Sequence, residues 1–418
     1  MRWIAGERPH AAGVGNEGAV ATGFDTESTI IAPGGFSARS YGLNLDTAGE
    51  TATLTPYSAI AGDISLNASK VGMTFWLHCT DWTPADWVAF VGLVPAAGAV
   101  AYSQLALQTS GKMAVVKGSD GSVGAETGAI FTDNAAAYFM YTVEWNGTTS
   151  WRHRVWVWGG TTPSGDAFSS AGWGSALIDF TETDAAITAG IHRNLWRMTA
   201  SPKGVAPNTH PYMDDMCLWE FASDADLPTA PDTVCDLAPN ATGTDSAFTT
   251  TQAGLLTGPN PANVDETDYN GDTDYDQNAN TTSSVEENQT YNLDSIPTLP
   301  AGATISGTSW YSTAKSTSAS AAVCRMRGYI GGTLENPALN WSVSTANYAT
   351  AHHCLTLSPA TGVAITEAEA NGMECGIRKS ALTRTVRLTH TFANVAIMPS
   401  LKALPYQRRA SMRALLRR

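Results

Sequence analysis

Asp268, Asn270, Asp272, Asp274 and Asp276 alternate through a turn at Gly271, inside an acidic stretch that runs from Asp265 to Glu287. Alternating carboxylates and amides of the D-x-[DN]-x-[DN] type are the donor set of a calcium loop, because a hard cation gathers oxygen ligands from a tight turn. Gly271 comes early for such a loop and no glutamate stands at the closing position, so a solvated acidic loop is the plainer reading. Calcium is the cofactor these residues suggest. A second set is aromatic: Trp82, Trp87, Trp156 and Trp173 offer flat faces on which a sugar could stack, although Trp in a β-protein more often lies in the core. The third set is basic. From Lys402 onward the chain carries Arg408, Arg409, Arg413, Arg417 and Arg418 with no acid, and Met412, Leu415 and Leu416 could form the apolar stripe of a short helix. Such a tail is either solvated or an anchor for an acidic neighbour, for which the acidic loop of the same protein qualifies.

Several other chemistries find no foothold. The sequence holds no G-x-S-x-G, H-E-x-x-H or P-loop. His352 and His353 are adjacent, which on a strand sends them to opposite faces and suits packing and solvent better than one metal ion. The 6 cysteines lie far apart with no C-x-x-C pair, so buried free thiols are expected before two disulfides or a metal site. A net charge of -14 argues against a nucleic-acid partner, since phosphate rewards a basic surface. No apolar run of about seven residues follows Met1–Arg8, and no apolar span of about 18 residues occurs, so neither a signal peptide nor a membrane partner is expected.

The elements that must position these groups read as strands. Tyr138 to Gly160 forms a long hairpin: Tyr141, Val143 and Trp145 alternate with Thr142 and Glu144, Asn146-Gly147 supplies the turn, and Trp151 to Trp158 returns. Trp156 and Trp158 share a face with Arg152 and Arg154, while His153, Val155 and Val157 take the other, so the strand belongs in the middle of a sandwich. Strand-like runs precede it at Arg39–Leu45, Thr51–Thr55, Lys70–Cys79, Val88–Val94, Ala99–Leu107 and Met113–Lys117. Others follow at Ala176–Phe180, His192–Met198 and Tyr212–Phe221; strict alternation in the last puts Met213, Asp215, Cys217 and Trp219 on one face. Further on come Ala303–Trp310, Ala321–Ile330, Ala351–Leu357 and Thr385–Met398, with a short helix capped by Thr366 and closed by Asn371-Gly372. Short strands bounded by Gly, Pro, Asn and Ser, in a chain with only 15% charged residues, indicate an all-β protein of two tandem β-sandwich domains with extended termini. The expected division is an arm or first edge strand over 1–35, a sandwich over 36–222, a linker over 223–231, a second β-rich domain over 232–400 and a basic tail over 401–418.

The order of features from Ser37 to Trp219, with a FWLH strand, a Gly-Lys-Met hairpin, a long hairpin and a closing strand carrying Asp214-Asp215, resembles a concanavalin A-like or laminin G-like jelly roll. The resemblance implies that fold and a weak inclination to carbohydrate binding. It also prompts a search for the E-x-D-x-x-E strand of retaining glucanases. Glu182-Thr183-Asp184-Ala185-Ala186-Ile187 comes nearest but lacks the second glutamate, so the paired-carboxylate mechanism has no partner and no catalytic residue is nominated. The second half resembles the C-terminal module of structural proteins of tailed bacteriophages, through Val234-Cys235-Asp236-Leu237-Ala238-Pro239-Asn240, Asn263-Val264-Asp265-Glu266, Asp272-Thr273-Asp274-Tyr275, Tyr291-Asn292-Leu293 and Thr366 to Gly372. That resemblance implies a non-enzymatic virion protein. Its partners would be other virion proteins, copies of itself and a host surface glycan; a lectin-like or glycan-active protein is the alternative.

Overall fold

The structure is a computed structural model that describes residues 3–5, 24–27, 32, 40–43, 51–54, 70–84, 88–94, 104–117, 121–129, 131–146, 149–160, 162–169, 171–183, 193–199, 209–250, 259–265, 275–278, 285–337, 340–345, 348–380 and 384–399. Its strands up to the linker are β1 (Trp3–Ala5), β2 (Phe24–Glu27), β3 (Ser40–Leu43), β4 (Thr51–Leu54), β5 (Lys70–Cys79), β6 (Val88–Val94), β7 (Gln104–Leu107), β8 (Met113–Val116), β9 (Val123–Glu126), β10 (Ala136–Trp145), β11 (Ser150–Val157), β12 (Ile178–Thr183), β13 (Arg193–Thr199) and β14 (Pro211–Glu220). They form an 8-stranded sheet in the order β12-β11-β10-β5-β14-β3-β2, with β1 also on β14, and a 6-stranded sheet in the order β4-β13-β6-β7-β8-β9. All pairings are antiparallel, and apolar side chains from both sheets meet between them, among them Phe75, Leu77, Leu105, Val115, Phe139 and Val155. The hairpin β10–β11 sits where its two bulky faces require, with Trp145 opposite Trp151 beside the turn.

After the linker come β15 (Thr233–Leu237), β16 (Pro239–Ser246), β17 (Phe248–Thr250), β18 (Asp276–Asn278), β19 (Glu287–Leu293), β20 (Thr304–Ser316), β21 (Ala322–Ile330), β22 (Thr333–Glu335), β23 (Trp341–Val343), β24 (Ala349–Leu355), β25 (Glu374–Lys379) and β26 (Val386–Met398), with one helix, α1 (Glu367–Asn371). One sheet runs β17-β18-β26-β20-β24 with β15 on β26, and the other runs β16-β19-β25-β21-β22 with β23 on β21. Trp310, Ile377, Met326, Tyr291, Val395 and Ile397 fill the space between them. The chain is therefore all-β, with two tandem sandwiches. Helix α1 has the expected cap: Thr366 accepts from the Glu369 amide at 3.3 Å and Glu369 accepts from the Thr366 amide at 2.8 Å, the reciprocal pair that satisfies two orphan helix donors.

Two features refine the sequence reading. The described parts of the N-terminal stretch take the edge-strand alternative and not the arm, as members of the 8-stranded sheet: β1 pairs with β14, and β2 pairs with β3 at the sheet's edge. The alternation along β14 also breaks. Asp214 lies opposite Trp76 and Cys217 lies opposite Thr74, so the Asp214–Cys217 segment holds one residue more than its partner. Asp215 takes a left-handed φ of 52° within this bulge, a conformation Asp tolerates better than most residues. The extra residue reverses the phase. Met213 now shares the interior with Met216 and Leu218, and Cys217 and Trp219 face outward with Tyr212. The 6 cysteines are free thiols, and all but Cys354 are buried. No helix among the described residues is long and apolar enough to cross a membrane.

Candidate functional site

Much of the described outward face of the 8-stranded sheet is buried, although Arg152 on β11 is exposed. Trp76, Tyr138, Met140, Trp156, Trp158, Cys217 and Trp219 form an apolar layer on it, which packs against Ala230, Val234 and Ala396 of the linker and second sandwich. The first sandwich's own loop covers part of the layer, where Trp158 donates to Asp166 and Ser169 and meets Trp173, and the linker and second sandwich share the same buried cluster along this seam. The bulged pair Asp214–Asp215 fixes it. Asp214, fully buried, accepts from its neighbour's amide at 2.8 Å and from the Ala32 amide at 3.3 Å. Asp215 accepts from the Tyr138 hydroxyl and, at 2.6 Å, from the Val234 amide at the start of the second sandwich. One carboxylate thus ties three elements together. Burial and the adjacent Asp215 charge push the Tyr138 phenol well above its ordinary range, so it remains a donor. The linker is fastened too: Arg154 grips Asp224 at 2.7 and 2.8 Å and Glu144 at 2.5 Å, with its guanidinium over Trp156.

Where the chain crosses between the sandwiches it leaves a cavity of about 280 Å³, lined by Trp219, Glu220, Asp226, Leu227, Pro228, Thr229, Asp232, Ser306 and Met398. Both sandwiches and the linker contribute walls. Asp232 is 2% exposed, and Ser306 donates to it at 2.5 Å. Burial pushes this carboxyl up to about 6, against the pull of the Ser306 bond. Asp226 caps the turn at 224–226 by accepting from the Ser223 amide and hydroxyl and the Ala222 amide, all through Oδ2. These donors hold it below the usual carboxylate range. The cavity therefore combines apolar walls with acids and hydroxyls, an arrangement suited to an occupant with a positive tip and an aliphatic or flat body.

The described residues singled out from the sequence do not line this cavity. Asp276 sits in β18 with 1% exposure; its Oδ1 accepts from Asn263 at 2.8 Å, and its Oδ2 accepts from the Asn260 amide and the Tyr291 hydroxyl. It is an internal acceptor holding a polar strand, not an open ligand in an acidic loop. Asp268, Asn270, Asp272 and Asp274 lie outside the described residues. Trp82 is fully buried, stacked on Phe131 at 4.3 Å, and donates to the Ala135 carbonyl at 2.8 Å. Trp156 and Trp173 are buried at the seam, and Trp173 packs edge-on against Trp158. Rings packed this way offer no face to a sugar, which corrects the stacking expectation for all three; Trp87 lies outside the described residues. So do the tail arginines Arg408, Arg409, Arg413, Arg417 and Arg418. His352 and His353 diverge as expected: His352 bonds Ser309 at 3.0 Å on the face that carries Tyr311 and Phe392, and His353, on the Trp310 side, faces Glu335 at 3.3 Å.

One constellation escaped the sequence reading. The Tyr141 hydroxyl meets His153 Nδ1 at 2.9 Å, and His153 Nε2 stands 3.7 Å from Glu182. The register places them: Tyr141 lies four residues before the end of β10 on the inner face, opposite Val155, and His153 lies two residues from Val155 and opposite Phe180. Burial lowers the His153 pKa in spite of Glu182, so the ring is neutral, and it has no exposure. A sealed phenol–imidazole–carboxylate chain orders a core and meets no substrate. Its signal was available, since His153 shares a face with Val155 and Val157.

No family model and no curated protein matches the chain. Among solved structures it is similar to an alginate lyase of polysaccharide lyase family 7, at 8% identity over 48% of this chain and 84% of that one, with a TM-score of 0.32. A sialidase of Trypanosoma rangeli is similar at 13% identity over 53% of this chain and 35% of that one, with a TM-score of 0.28. The binding domain of botulinum neurotoxin serotype D is similar at 8% identity, 64% and 60% coverage, and a TM-score of 0.30. At such scores the likeness carries no argument about activity, and the two-sheet architecture rests on this chain's own ladders.

Proposed function

We propose that the chain is a non-enzymatic structural protein of a tailed-phage particle, a building block that contacts other virion proteins and copies of itself. The observation that carries the reading is the seam. Aromatic packing, the Asp214–Asp215 tie and the Arg154–Asp224 clamp join the two sandwiches into one body, and a subunit with fixed outer faces suits an assembly in which many weak contacts add. The disposition of the acids supports it: Asp214, Asp215, Asp276 and Glu374 accept internal hydrogen bonds. The ordered motifs over residues 232–398 supply the link to phage particles, and a host-glycan contact belongs to the same proposal. The alternative, a lectin-like or glycan-active protein, needs an open aromatic face, and Trp82, Trp156 and Trp173 do not supply one.

Peptide mass spectrometry of tailed particles purified from the source culture tests this. Stoichiometric presence of the polypeptide in intact particles is the expected result. Its absence from every particle, together with saturable binding of the free protein to a glycan array, would overturn the reading in favour of the lectin.

A further inference from the structure

We propose that Lys379 and Asn278 form an intramolecular isopeptide bond, with Glu287 carrying the protons, and that this bond staples together the two sheets of the second sandwich. This goes beyond the assembly reading and does not depend on it. Lys379 ends β25 and Glu287 begins β19, opposite each other in one sheet, whereas Asn278 ends β18 in the other. The three side chains meet at one carboxylate oxygen. Lys379 Nζ lies 3.1 Å from Glu287 Oε2, and Asn278 Nδ2 donates to the same atom at 2.9 Å. All three residues are buried, Lys379 and Asn278 completely. Among the described pairs of Lys or Arg with a carboxylate, this is the one whose cation is wholly sealed; the others keep at least 5% of the cationic side chain exposed. A buried ammonium–carboxylate pair is a weak source of stability, and here it stands against a carboxamide.

The surrounding bonds arrange Asn278 as an acyl donor. Its Oδ1 accepts from the Val386 amide at 2.6 Å, a backbone donor placed where negative charge develops when a nucleophile adds to Cγ. Its Nδ2 donates to the Arg384 carbonyl at 3.1 Å as well as to Glu287, which turns the leaving nitrogen toward the acid. Lys379 Nζ also donates to the Val285 carbonyl at 3.4 Å. The nearby walls are apolar: Phe248 lies opposite Asn278, Cys324 lies opposite Lys379, and both share a buried core with Val386. In the reaction, Glu287 takes one proton from the Lys379 ammonium, and the freed amine adds its lone pair to Asn278 Cγ. Glu287 returns that proton to Nδ2, and the Cγ–Nδ2 bond breaks. The extra proton on the new amide nitrogen passes through Glu287 to the departing ammonia. One Nζ–Cγ bond replaces one Cγ–Nδ2 bond, ammonium leaves, Glu287 ends as it began, and nothing is oxidised or reduced. All 6 cysteines are free, so no disulfide ties these sheets. The two linked positions are about 100 residues apart, and a cross-link restrains the unfolded chain most when it closes a long loop.

The test is the intact mass of the full-length native chain, reduced and denatured, followed by peptide mapping. The expected mass lies below the sequence mass by one ammonia, about 17 Da, and proteolysis yields a branched peptide joining Asn278 to Lys379. Mapping is required because a succinimide at an Asn-Gly step loses the same mass without branching. Lys379→Arg and Glu287→Gln chains are expected to lack the branch, the second while keeping both reacting groups and the native β-sheet circular dichroism. Glu287→Asp keeps the charge but withdraws the acid, and its linked fraction is expected to fall below the native one. The native measurement depends on no variant folding. A native chain at its full sequence mass, an ammonia loss without the 278–379 branch, a branch that persists in Glu287→Gln, or an equal linked fraction in Glu287→Asp would each overturn the proposal.

Discussion

Asp232→Asn is expected to stabilise the protein at neutral pH, although it removes a charge from a lined cavity. The carboxyl is buried and its pKa is raised from 3.8 to about 6. A folded-state value above the unfolded one means that the folded chain holds the proton more tightly. The contribution is therefore fully present below the unfolded value, declines as pH rises from about 4 to 6, and is lost above the folded value. A shift of about two pH units corresponds to about 3 kcal/mol. An amide of the same shape keeps the Ser306 hydroxyl as donor and carries no charge to desolvate. Asp232→Asn should raise stability by about 3 kcal/mol at pH 7.5 and by nearly nothing at pH 3.5. Urea unfolding followed by tryptophan fluorescence reads this as a midpoint shift of about 1 M for a slope near 3 kcal/mol/M. Other carboxylates, such as Asp224 and Glu286, move stability the opposite way with pH, but they cancel in the difference between variants. A gain that does not change with pH, or a loss at pH 7.5, would refute the reasoning.

Tyr138→Phe leaves the Asp215 carboxylate short of one buried donor at the seam and should cost about 1–3 kcal/mol, measured by chemical unfolding. Gly72→Ala places a methyl 2.0 Å from the Trp219 ring; it should destabilise by about 1–3 kcal/mol and shift the tryptophan emission, whereas an unchanged spectrum and stability would show that the ring is not seated there. Thr366→Ala removes the cap of α1 and should cost about 1 kcal/mol, with local amide exchange rising at residues 367–371.

What could be read from the sequence was what periodicity and chemistry record locally. Lys70–Cys79 and Val88–Val94 fall where their apolar and β-branched runs put them, the hairpin keeps its two faces, and Thr366 with Glu369 announces a helix start. Strands built from polar residues were illegible, because their burial comes from partners far away. Asp276–Asn278 is a strand because Tyr291, Asn263 and Glu287 satisfy its side chains, and Pro239–Ser246 pairs with Glu287–Leu293 across two irregularities. The β14 bulge adds one residue and reverses every side chain beyond it, which no alternation rule anticipates. The tryptophans show the same limit. An aromatic row that faces outward from one sandwich looks the same in sequence whether a sugar or a second sandwich covers it. The cavity unites residues from 219 to 398, and nothing local in Asp232 or Ser306 marks them as neighbours.

Cryo-electron microscopy of the purified tailed particle tests the central claim most directly. The expected map contains this polypeptide in repeated, symmetry-related copies, each with its two sandwiches docked as one body along the Trp76–Trp219 seam. A particle in which every copy is accounted for by other chains, with this protein soluble and unassembled, would contradict it.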